Sequence, residues 1–335
     1  MTPAWPTSRS LPNSKSHPMT PARTAYLLAG ALLLAGLSVS AAPLAWITNQ
    51  GEDTVSVIDL SSGATLSKVP VGGKPAGVAV APDGRVYISN PEGQAVSVID
   101  GDAHAVVATI PVDGSPVGIA VSPDGTRLYV SEWFNDRLSV IDTRTLKPIA
   151  RIPVGRAPAG VDVRPDGGEV YVANRNDGTV SVIDAKELAV TATLKTGEAP
   201  FGLQVSADGR RLYVVNVHDN SVSVFDTGDH HLLGTARVGE FPYCVTEDPV
   251  RHRLFVSNEQ GDSVSVVALD GLRTLTEIDV SSTPEGVGYD PATDRIYVAS
   301  WFENRLDVID PVRLKVVTSY PAGENSRALG RFISD

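Results

Sequence analysis

The sequence has few of the residues that build covalent frameworks. Cysteine occurs once, at Cys244, and methionine occurs twice in 335 residues. One cysteine excludes an intrachain disulfide and a Cys-x-x-Cys-His haem attachment. Cys244 itself fits a buried, inert thiol at the start of a strand. A protein of this composition must be held together by its apolar core and its chain topology.

Long apolar runs are also scarce, and the clearest one lies near the amino terminus. Residues 26–41 read YLLAGALLLAGLSVSA, with Arg23 before them. Such a run is short for a membrane span and is typical of a secretory signal peptide, with an uncleaved anchor as the alternative. We expect residues 1–41 to be an extension plus signal peptide, with Met19 as a candidate true start because MTPA recurs there. The mature chain, 42–335, would then be periplasmic or secreted and have no membrane span.

Basic residues are outnumbered in this chain. Lys and Arg total 28 against 39 Asp and Glu, which gives a net charge of −11. The predicted signal segment carries three basic residues and no acidic ones, so its removal leaves −14. A surface of that sign repels phosphate backbones and anionic lipids. We therefore expect no nucleic-acid or membrane partner, and we separately expect a monomer.

In place of these features the chain has a repeat of 42 residues. An aromatic residue recurs at Tyr87, Tyr129, Tyr171, Tyr213, Phe255 and Tyr297, with Trp46 near the equivalent place in the first copy. A Ser-Val-Ile-Asp motif or a variant of it ends at Asp59, Asp100, Asp142, Asp184, Asp226 and Asp310. Most copies also carry a Pro-x-Gly motif, and each copy predicts four short strands with an Asp-Gly type hairpin between the first two.

Four strands in about 42 residues is the size of one β-propeller blade, and proline in the outer strands suits an exposed edge. The predicted blades are 75–112, 116–154, 158–196, 200–238, 242–280 and 284–321, with a composite blade of 44–72 and 326–333. The chain starts on the second strand of a blade and ends on a first strand. The sequence therefore predicts an all-β, seven-bladed propeller of four-stranded antiparallel blades, closed by amino-terminal strands that pair with the carboxyl-terminal strand.

The segments VYVANRNDGTVSVID, LYVVNVHDNSVSVFD and ISNPEGQAVSVID resemble the YVTN β-propeller repeat of YncE-like periplasmic proteins. The resemblance extends from Ala45 to the carboxyl terminus. It implies export, a seven-bladed ring and frequently no catalysis. Related rings bind quinone or haem cofactors or act as lactonases, so the fold by itself does not decide the function.

Departures from the repeat are the candidate functional residues. They lie on the predicted loop face, which is formed by the loops between second and third strands and by the interblade loops. Two of these loops carry a Trp-Phe pair, in EWFNDR of the third blade and SWFENR of the seventh. Aromatic walls with a few charged groups are typical of a binding site. The predicted ligand- or partner-binding residues are Trp133, Phe134, Arg137, Phe201, His218, Tyr243, Glu285, Trp301, Phe302, Arg305 and Arg327.

Two alternatives remain open at this stage. The Trp-Phe pairs could instead pack over adjacent blades, with the following arginines stacked on them or paired with carboxylates. The favoured function is a non-enzymatic propeller that binds a protein partner or a small ligand, because departures from the repeat concentrate on the loop face and no catalytic constellation accompanies them. We expect no cofactor, and no metal because His230 and His231 lack further converging ligands. The other candidate function is an enzyme, either an oxidoreductase with a non-covalent quinone or haem or a lactonase-like hydrolase. Its acids, bases or ligands would come from Glu132, Glu285, Glu303, His218 and Arg327.

Overall fold

The computed structural model describes residues 43–334, which form seven sheets arranged as the blades of a propeller. The predicted signal peptide, 1–41, lies outside the described residues. No helix in the described part is long and apolar enough to cross a membrane. The prediction of an all-β, seven-bladed fold is confirmed.

Blade 1 is built from the two ends of the chain, and blades 2 to 7 follow in sequence order. Blade 1 contains β1 (Leu44–Asn49), β2 (Thr54–Asp59) and β3 (Thr65–Pro70). The strands of blades 2 to 4 are β4 (Gly77–Val80), β5 (Arg85–Asn90), β6 (Ala95–Asp100), β7 (Ala105–Pro111), β8 (Pro116–Val121), β9 (Arg127–Glu132), β10 (Arg137–Asp142), β11 (Lys147–Pro153), β12 (Pro158–Val163), β13 (Glu169–Asn174), β14 (Thr179–Asp184) and β15 (Ala189–Lys195).

Blades 5 to 7 repeat this order, and three short strands end the chain. These strands are β16 (Pro200–Val205), β17 (Arg211–Asn216), β18 (Ser221–Asp226), β19 (Leu232–Arg237), β20 (Pro242–Asp248), β21 (Arg253–Asn258), β22 (Ser263–Ala268), β23 (Arg273–Asp279), β24 (Pro284–Asp290), β25 (Arg295–Ser300), β26 (Arg305–Asp310), β27 (Lys315–Pro321), β28 (Ser326–Arg327), β29 (Leu329–Arg331) and β30 (Ile333–Ser334).

The two middle strands of each blade make the core. In β5 every residue after Arg85 is buried, whereas the outer strand β7 is mostly exposed. The recurrent aromatic residue of the second strand, for example Tyr171, is fully buried and packs between neighbouring blades. The middle strands are buried on both faces, and their sequences are therefore nearly continuous runs of Val, Ile, Leu and Tyr. The outer strand is exposed and contains polar residues as well.

Glycine of the Pro-x-Gly motif lets neighbouring inner strands approach each other closely. A methyl group at Gly118 would lie 2.0 Å from the carbonyl oxygen of Ala159 in the next blade. The Ser131 hydroxyl links the two neighbouring blades, because it donates a hydrogen bond to the Ala159 carbonyl at 2.7 Å. A methyl group at Gly202 would likewise lie 2.3 Å from the carbonyl oxygen of Tyr243 in the next blade. The repeat motif is therefore a packing motif between blades.

Ring closure is antiparallel, as the sequence predicts, but the carboxyl-terminal strand is divided. Strand β1 pairs with β28 through Thr48 and Arg327, and with β30 through Ala45 and Ile333. Between these two, β29 leaves blade 1 and pairs in parallel with β4 of blade 2. Gly330, at φ +103°, supplies a backbone conformation that other residues rarely adopt. The end of the chain therefore joins blades 1 and 2.

The segment β29 also reaches into the middle of the ring. It contacts the inner strands β8, β12 and β24 in addition to β4. Leu329 is 5% exposed and belongs to the apolar cluster that includes Val245 and Val287 of blades 6 and 7. The carboxyl-terminal segment therefore packs against inner strands of four blades, with the Leu329 side chain buried among them.

Candidate functional site

The middle residue of each Pro-x-Gly motif, and of the equivalent segments 242–244 and 326–328, lies at the loop-face end of an inner strand. Together these seven residues form a ring at the mouth of the channel, which we call the mouth row. Four of its members are large or charged and lie in consecutive blades from 5 round to 1. The mouth row consists of Ala76, Val117, Ala159, Phe201, Tyr243, Glu285 and Arg327.

Aromatic side chains cover one side of the mouth. The Trp133 ring, from blade 3, lies 6.2 Å from the Phe201 ring of blade 5, measured between centroids. Phe201 in turn packs on Tyr243 of blade 6 at 4.3 Å. Trp133 and Tyr243 are half-buried and Phe201 is buried, all against the same apolar cluster. This half of the mouth is therefore part of the core, in agreement with the packing alternative for Trp133.

An ion pair continues the chain of contacts on the other side. Arg327 Nη2 donates to the Tyr243 hydroxyl at 2.5 Å, and the guanidinium lies 5.7 Å from the centre of the Tyr243 ring. Arg327 Nε lies 2.5 Å from Glu285 Oε2. That approach is not aligned for a hydrogen bond, so neither atom has a hydrogen-bond partner in the part of the chain that the structure describes.

Burial controls the ionisation of this group of side chains. Loss of solvent raises the pKa of Glu285 to about 7, although Arg327 pulls it down. Burial also raises the pKa of the Cys244 thiol to about 12. Cys244 is 6% exposed and occupies the glycine position of its repeat. A thiol in that environment stays protonated, so Cys244 is a poor nucleophile.

A cavity of about 450 Å³ opens beside Glu285. Trp301 and Phe302 of blade 7 form one wall, with their rings perpendicular and 4.8 Å apart between centroids. The opposite walls come from the loops of blades 6 and 1 and from the loop that enters blade 7. The complete lining is Gln50, Glu259, Gln260, Asp262, Thr283, Glu285, Trp301 and Phe302.

The two other acids of this cavity, Glu259 and Asp262, have different surroundings. Partial burial raises the pKa of Glu259 above its usual value, against the opposing effect of Arg327. Asp262 Oδ1 accepts hydrogen bonds from Thr283 N at 2.8 Å and from the Ser282 hydroxyl at 2.9 Å. Asp262 therefore holds the interblade loop in place and leaves Oδ2 free of these bonds. No basic side chain is part of the lining.

The two Trp-Phe loops have different polar supports beneath them. Glu132 is fully buried and accepts hydrogen bonds from Asn135 Nδ2 at 2.8 Å, from Arg137 Nε at 2.7 Å and from the Ser139 hydroxyl. Most other blades have asparagine in this place, bonded to serine of the third strand, as in Asn174 with Ser181 at 2.9 Å. Glu132 is thus a structural acid held by three donors.

In blade 7 the buried acid comes from the third strand of the blade instead of the second. Ser300 takes the asparagine place, and its buried hydroxyl has no hydrogen-bond partner among residues 43–334. The acid is instead Asp307 on the third strand, which accepts from Ser281 N at 2.6 Å and from the Ser319 hydroxyl. Both blades keep one acid in the same buried space, contributed from opposite strands.

The remaining predicted site residues lie outside the cavity lining and the mouth row. Phe134 is 76% exposed. Arg137 is occupied by Glu132 and Asp113, and Arg305 Nη2 donates to the Ser319 carbonyl at 3.4 Å. His218 lies on the rim, with its ring 5.9 Å from that of Phe241. The structure therefore groups Trp133, Phe201, Tyr243, Glu285, Arg327, Trp301 and Phe302.

Sequence reasoning missed five of the residues that line the cavity. Gln50, Glu259, Gln260 and Asp262 lie in loops that follow the repeat, so no departure marked them. Thr283 precedes a regular Pro-x-Gly motif. The available signal was their position, because a loop of blade 6 and the interblade loop before blade 7 must meet next to Trp301.

One candidate cation cluster lies on the opposite face. Asp226, Asp229 and His231 place ligand atoms within 4.8 Å of one another in an exposed turn. Asp226 Oδ1 already accepts from Gly228 N at 2.7 Å, and His231 Nδ1 is 2.5 Å from Asp229 Oδ1. These bonds account for the cluster as a capped turn. The prediction that His230 and His231 hold no metal stays a prediction.

Two family models match the chain. Residues 46–166 match the YNCE-like beta-propeller model, and residues 183–297 match the model of the 7-bladed beta-propeller lactonases. No curated protein matches the chain significantly. Among solved structures, hydrazine synthase of Kuenenia stuttgartiensis is similar, with a TM-score of 0.69 and 22% identity over 76% of this chain and 89% of that one.

Two further solved structures resemble the chain at 17% identity. A functionally unknown protein from Desulfotomaculum acetoxidans DSM 771 has a TM-score of 0.72, with 85% of this chain and 98% of that chain covered. The dihydro-heme d1 dehydrogenase NirN, in complex with DHE, has a TM-score of 0.68, with 84% of this chain and 64% of that chain covered. At such identities the likeness concerns the fold alone. The ring of seven blades and the two model matches together show that the chain is a seven-bladed β-propeller, with residues 46–166 similar to the YNCE-like family and residues 183–297 similar to the lactonase family.

Proposed function

We propose that the protein is an exported, non-enzymatic propeller that binds a small molecule, or one side chain of a partner protein, at the mouth of its channel. The observation that carries the proposal is the cavity beside Trp301. Its volume of about 450 Å³ falls within the range of roughly 300–1,000 Å³ that small-molecule sites occupy. Export rests on the signal sequence predicted in residues 1–41, and the proposal requires no cofactor.

The composition of the cavity supports binding. An aromatic pair forms one wall, and polar groups from three blades converge on the space in front of it. Aromatic side chains supply contact area with little loss of rotamer entropy, which is why they anchor many ligands. Phe302 is 67% exposed, so the wall extends beyond the cavity toward an incoming partner.

The proposal is tested with a library of cations, anions and neutral compounds in a thermal-shift assay. Parent protein is compared with Trp301→Ala and, as the matched control, Phe134→Ala on the other tip. We expect some compounds to raise the Tm of the parent and of the control but not that of Trp301→Ala. Compounds that stabilise all three proteins equally, or a library without any stabilising compound, would reject the cavity as the binding site.

A hydrolase is the second candidate, because residues 183–297 match the lactonase model. Glu285, whose pKa burial raises to about 7, would be the acid or base beside the bound substrate. The test is hydrolysis of simple lactones by the parent and by Glu285→Gln. A parent that hydrolyses none of them, or a Glu285→Gln variant that is fully active, would reject this mechanism.

A further inference from the structure

We infer that the ligand of this cavity is an organic cation, an ammonium or guanidinium group attached to an apolar body. The inference rests on the proposed function and names its ligand class. Three of the eight lining residues, Glu259, Asp262 and Glu285, are acids, and none is basic. Because the whole chain is acidic, this balance of charge is not sufficient by itself. Two further observations point the same way.

The first is a buried acid with one cationic partner and few donors. Glu285 is 7% exposed, and its Oε2 lies 2.5 Å from Arg327 Nε without the alignment of a hydrogen bond. Glu132, the structural acid of blade 3, has three donors from its own loop and strand. Buried carboxylates are usually hydrogen-bonded, and Glu285 also lines the cavity. A donor in the cavity would add to the single contact that Arg327 supplies.

The second observation is the aromatic wall. Trp301 forms this wall, and among aromatic side chains tryptophan binds cations most strongly through the negative face of its ring. Phe302 stands perpendicular to it and extends the apolar surface. A cation with an apolar body would place its charge between the acids and Trp301 and its body along Phe302. An anion of the same shape would meet Glu259 and Glu285 with an unfavourable sign.

Proton linkage gives an independent signature of a cation. The groups that face Glu285 are Arg327 from β28, Tyr243 and Cys244 from β20, and Glu259 from the loop after β21. Burial raises the pKa of Glu285 to about 7 in the folded protein. A bound cation favours the ionised carboxylate, so its affinity rises as the pH increases through about 7, and binding below that pH releases protons.

The experiment compares three probes with the same apolar body by titration calorimetry on the full protein. Phenethylamine is the cation, 2-phenylethanol the neutral analogue and 3-phenylpropionate the anion. We expect the amine to bind about tenfold more tightly than the alcohol at pH 8, an advantage that shrinks at pH 6 and in high salt. Glu259→Gln should weaken the amine roughly three- to tenfold and leave the alcohol unchanged, whereas Glu92→Gln, a loop acid outside the cavity, should change neither.

The outcomes separate this inference from the proposed function. Equal or tighter binding of the alcohol or the propionate overturns the cation class, and the cavity remains a binding site for another class. Absence of binding by all three probes also overturns the inference, while library compounds that lose their effect in Trp301→Ala would still support the proposed function. A tetrapeptide, acetyl-Gly-Phe-Lys-Gly-amide, identifies the source of the cation. Tighter binding of the peptide than of phenethylamine assigns the cation to a partner's side chain, and weaker binding assigns it to a free small molecule.

Discussion

The two Trp-Phe tips have similar sequences and the same backbone hydrogen bond, yet they have different surroundings. Trp133 N donates to the Ser115 carbonyl at 3.1 Å, and Trp301 N donates to the equivalent Thr283 carbonyl at 2.9 Å. From these similar starting points, Trp133 packs on Phe201 at the mouth of the channel, whereas Trp301 forms the wall of a cavity. One tip serves the core, and the other faces a space that a ligand can enter.

The cause of the difference lies in the mouth row. Phe201, which Trp133 contacts, belongs to the blade two positions after blade 3. The blade two positions after blade 7 carries Ala76 at the same place, and a methyl group offers no ring to pack on. The comparison teaches that a repeat fixes the path of the backbone, whereas the environment of each tip depends on its neighbours in the ring.

The largest expected effect on stability distinguishes the two buried polar residues beneath the tips, Glu132 in blade 3 and Ser300 in blade 7. Glu132→Ala removes a buried acceptor from Arg137, Asn135 and Ser139, and we expect it to lower the free energy of unfolding by about 2–4 kcal/mol. Ser300→Ala, in the equivalent place, should change it by less than about 0.5 kcal/mol because its hydroxyl has no partner in the described chain. Urea unfolding measures both changes.

A conservative variant sharpens this first prediction. Glu132→Asn restores the residue of most other blades, whose amide donates to the serine on the third strand, and it should recover part of the lost stability. If Glu132→Ala and Ser300→Ala cost the same, the two supports are equivalent and the comparison between the tips fails at this level.

The next effect concerns the tryptophans themselves. Trp133→Ala should lower the free energy of unfolding by about 2 kcal/mol, because its ring packs on Phe201 and is half-buried. Trp301→Ala should cost less than about 1 kcal/mol, because one side of its ring faces the cavity. Urea midpoints at unchanged m-values test this order. A larger cost at Trp301 would mean that this side chain is primarily a core residue.

The buried acids give a pH-dependent contrast of intermediate size. The folded-state pKa of Glu285, about 7, is above its usual value of 4.5, so the folded protein retains a proton that the unfolded chain releases. Stability from this group is therefore fully present below pH 4.5 and is lost as the pH rises through about 7. Glutamine cannot ionise, so Glu285→Gln should gain roughly 1–3 kcal/mol relative to the parent between pH 5 and pH 8.

Urea unfolding of both proteins across that range tests the contrast. The constant cost of leaving Arg327 without its acid is present at every pH and does not change the slope. Parallel stability curves for the parent and Glu285→Gln would show that Glu285 ionises normally, and would remove the electrostatic difference between the two sides of the mouth.

The smallest effect on stability is expected at the two exposed phenylalanines. Phe134→Ala and Phe302→Ala should each change the free energy of unfolding by less than about 0.5 kcal/mol, since their rings are 76% and 67% exposed. Their effect on binding should differ, because only Phe302 lines the cavity. Calorimetry with phenethylamine is the measurement, and equal losses of affinity in both variants would contradict the assignment.

The sequence predicts the fold because the 42-residue repeat supplies the same evidence in every copy. The marker aromatics, the Ser-Val-Ile-Asp segments and the Pro-x-Gly motifs are local, and each has a local structural role. The division of the last strand could not be predicted. It depends on Gly330 adopting a positive φ and on Leu329 packing against inner strands of other blades, which become its neighbours only in the folded ring.

The candidate site could be predicted in part. Glu285, Trp301 and Phe302 stand out as departures from the repeat, and they line the cavity. Arg137 and Arg305 stand out in the same way, but they bond to their own blades. Departure from a repeat reveals that a residue is different, and it does not reveal whether the partner is a neighbour or a ligand.

The sequence by itself determined the number of blades, the strand pattern and the pairing of the amino-terminal strands with the carboxyl-terminal segment, because these follow from periodic burial and turn chemistry along the chain. Only the tertiary structure decided which tryptophan is covered and which one is open. That choice depends on side chains two blades apart, Phe201 in one case and Ala76 in the other, which become neighbours only when the ring closes.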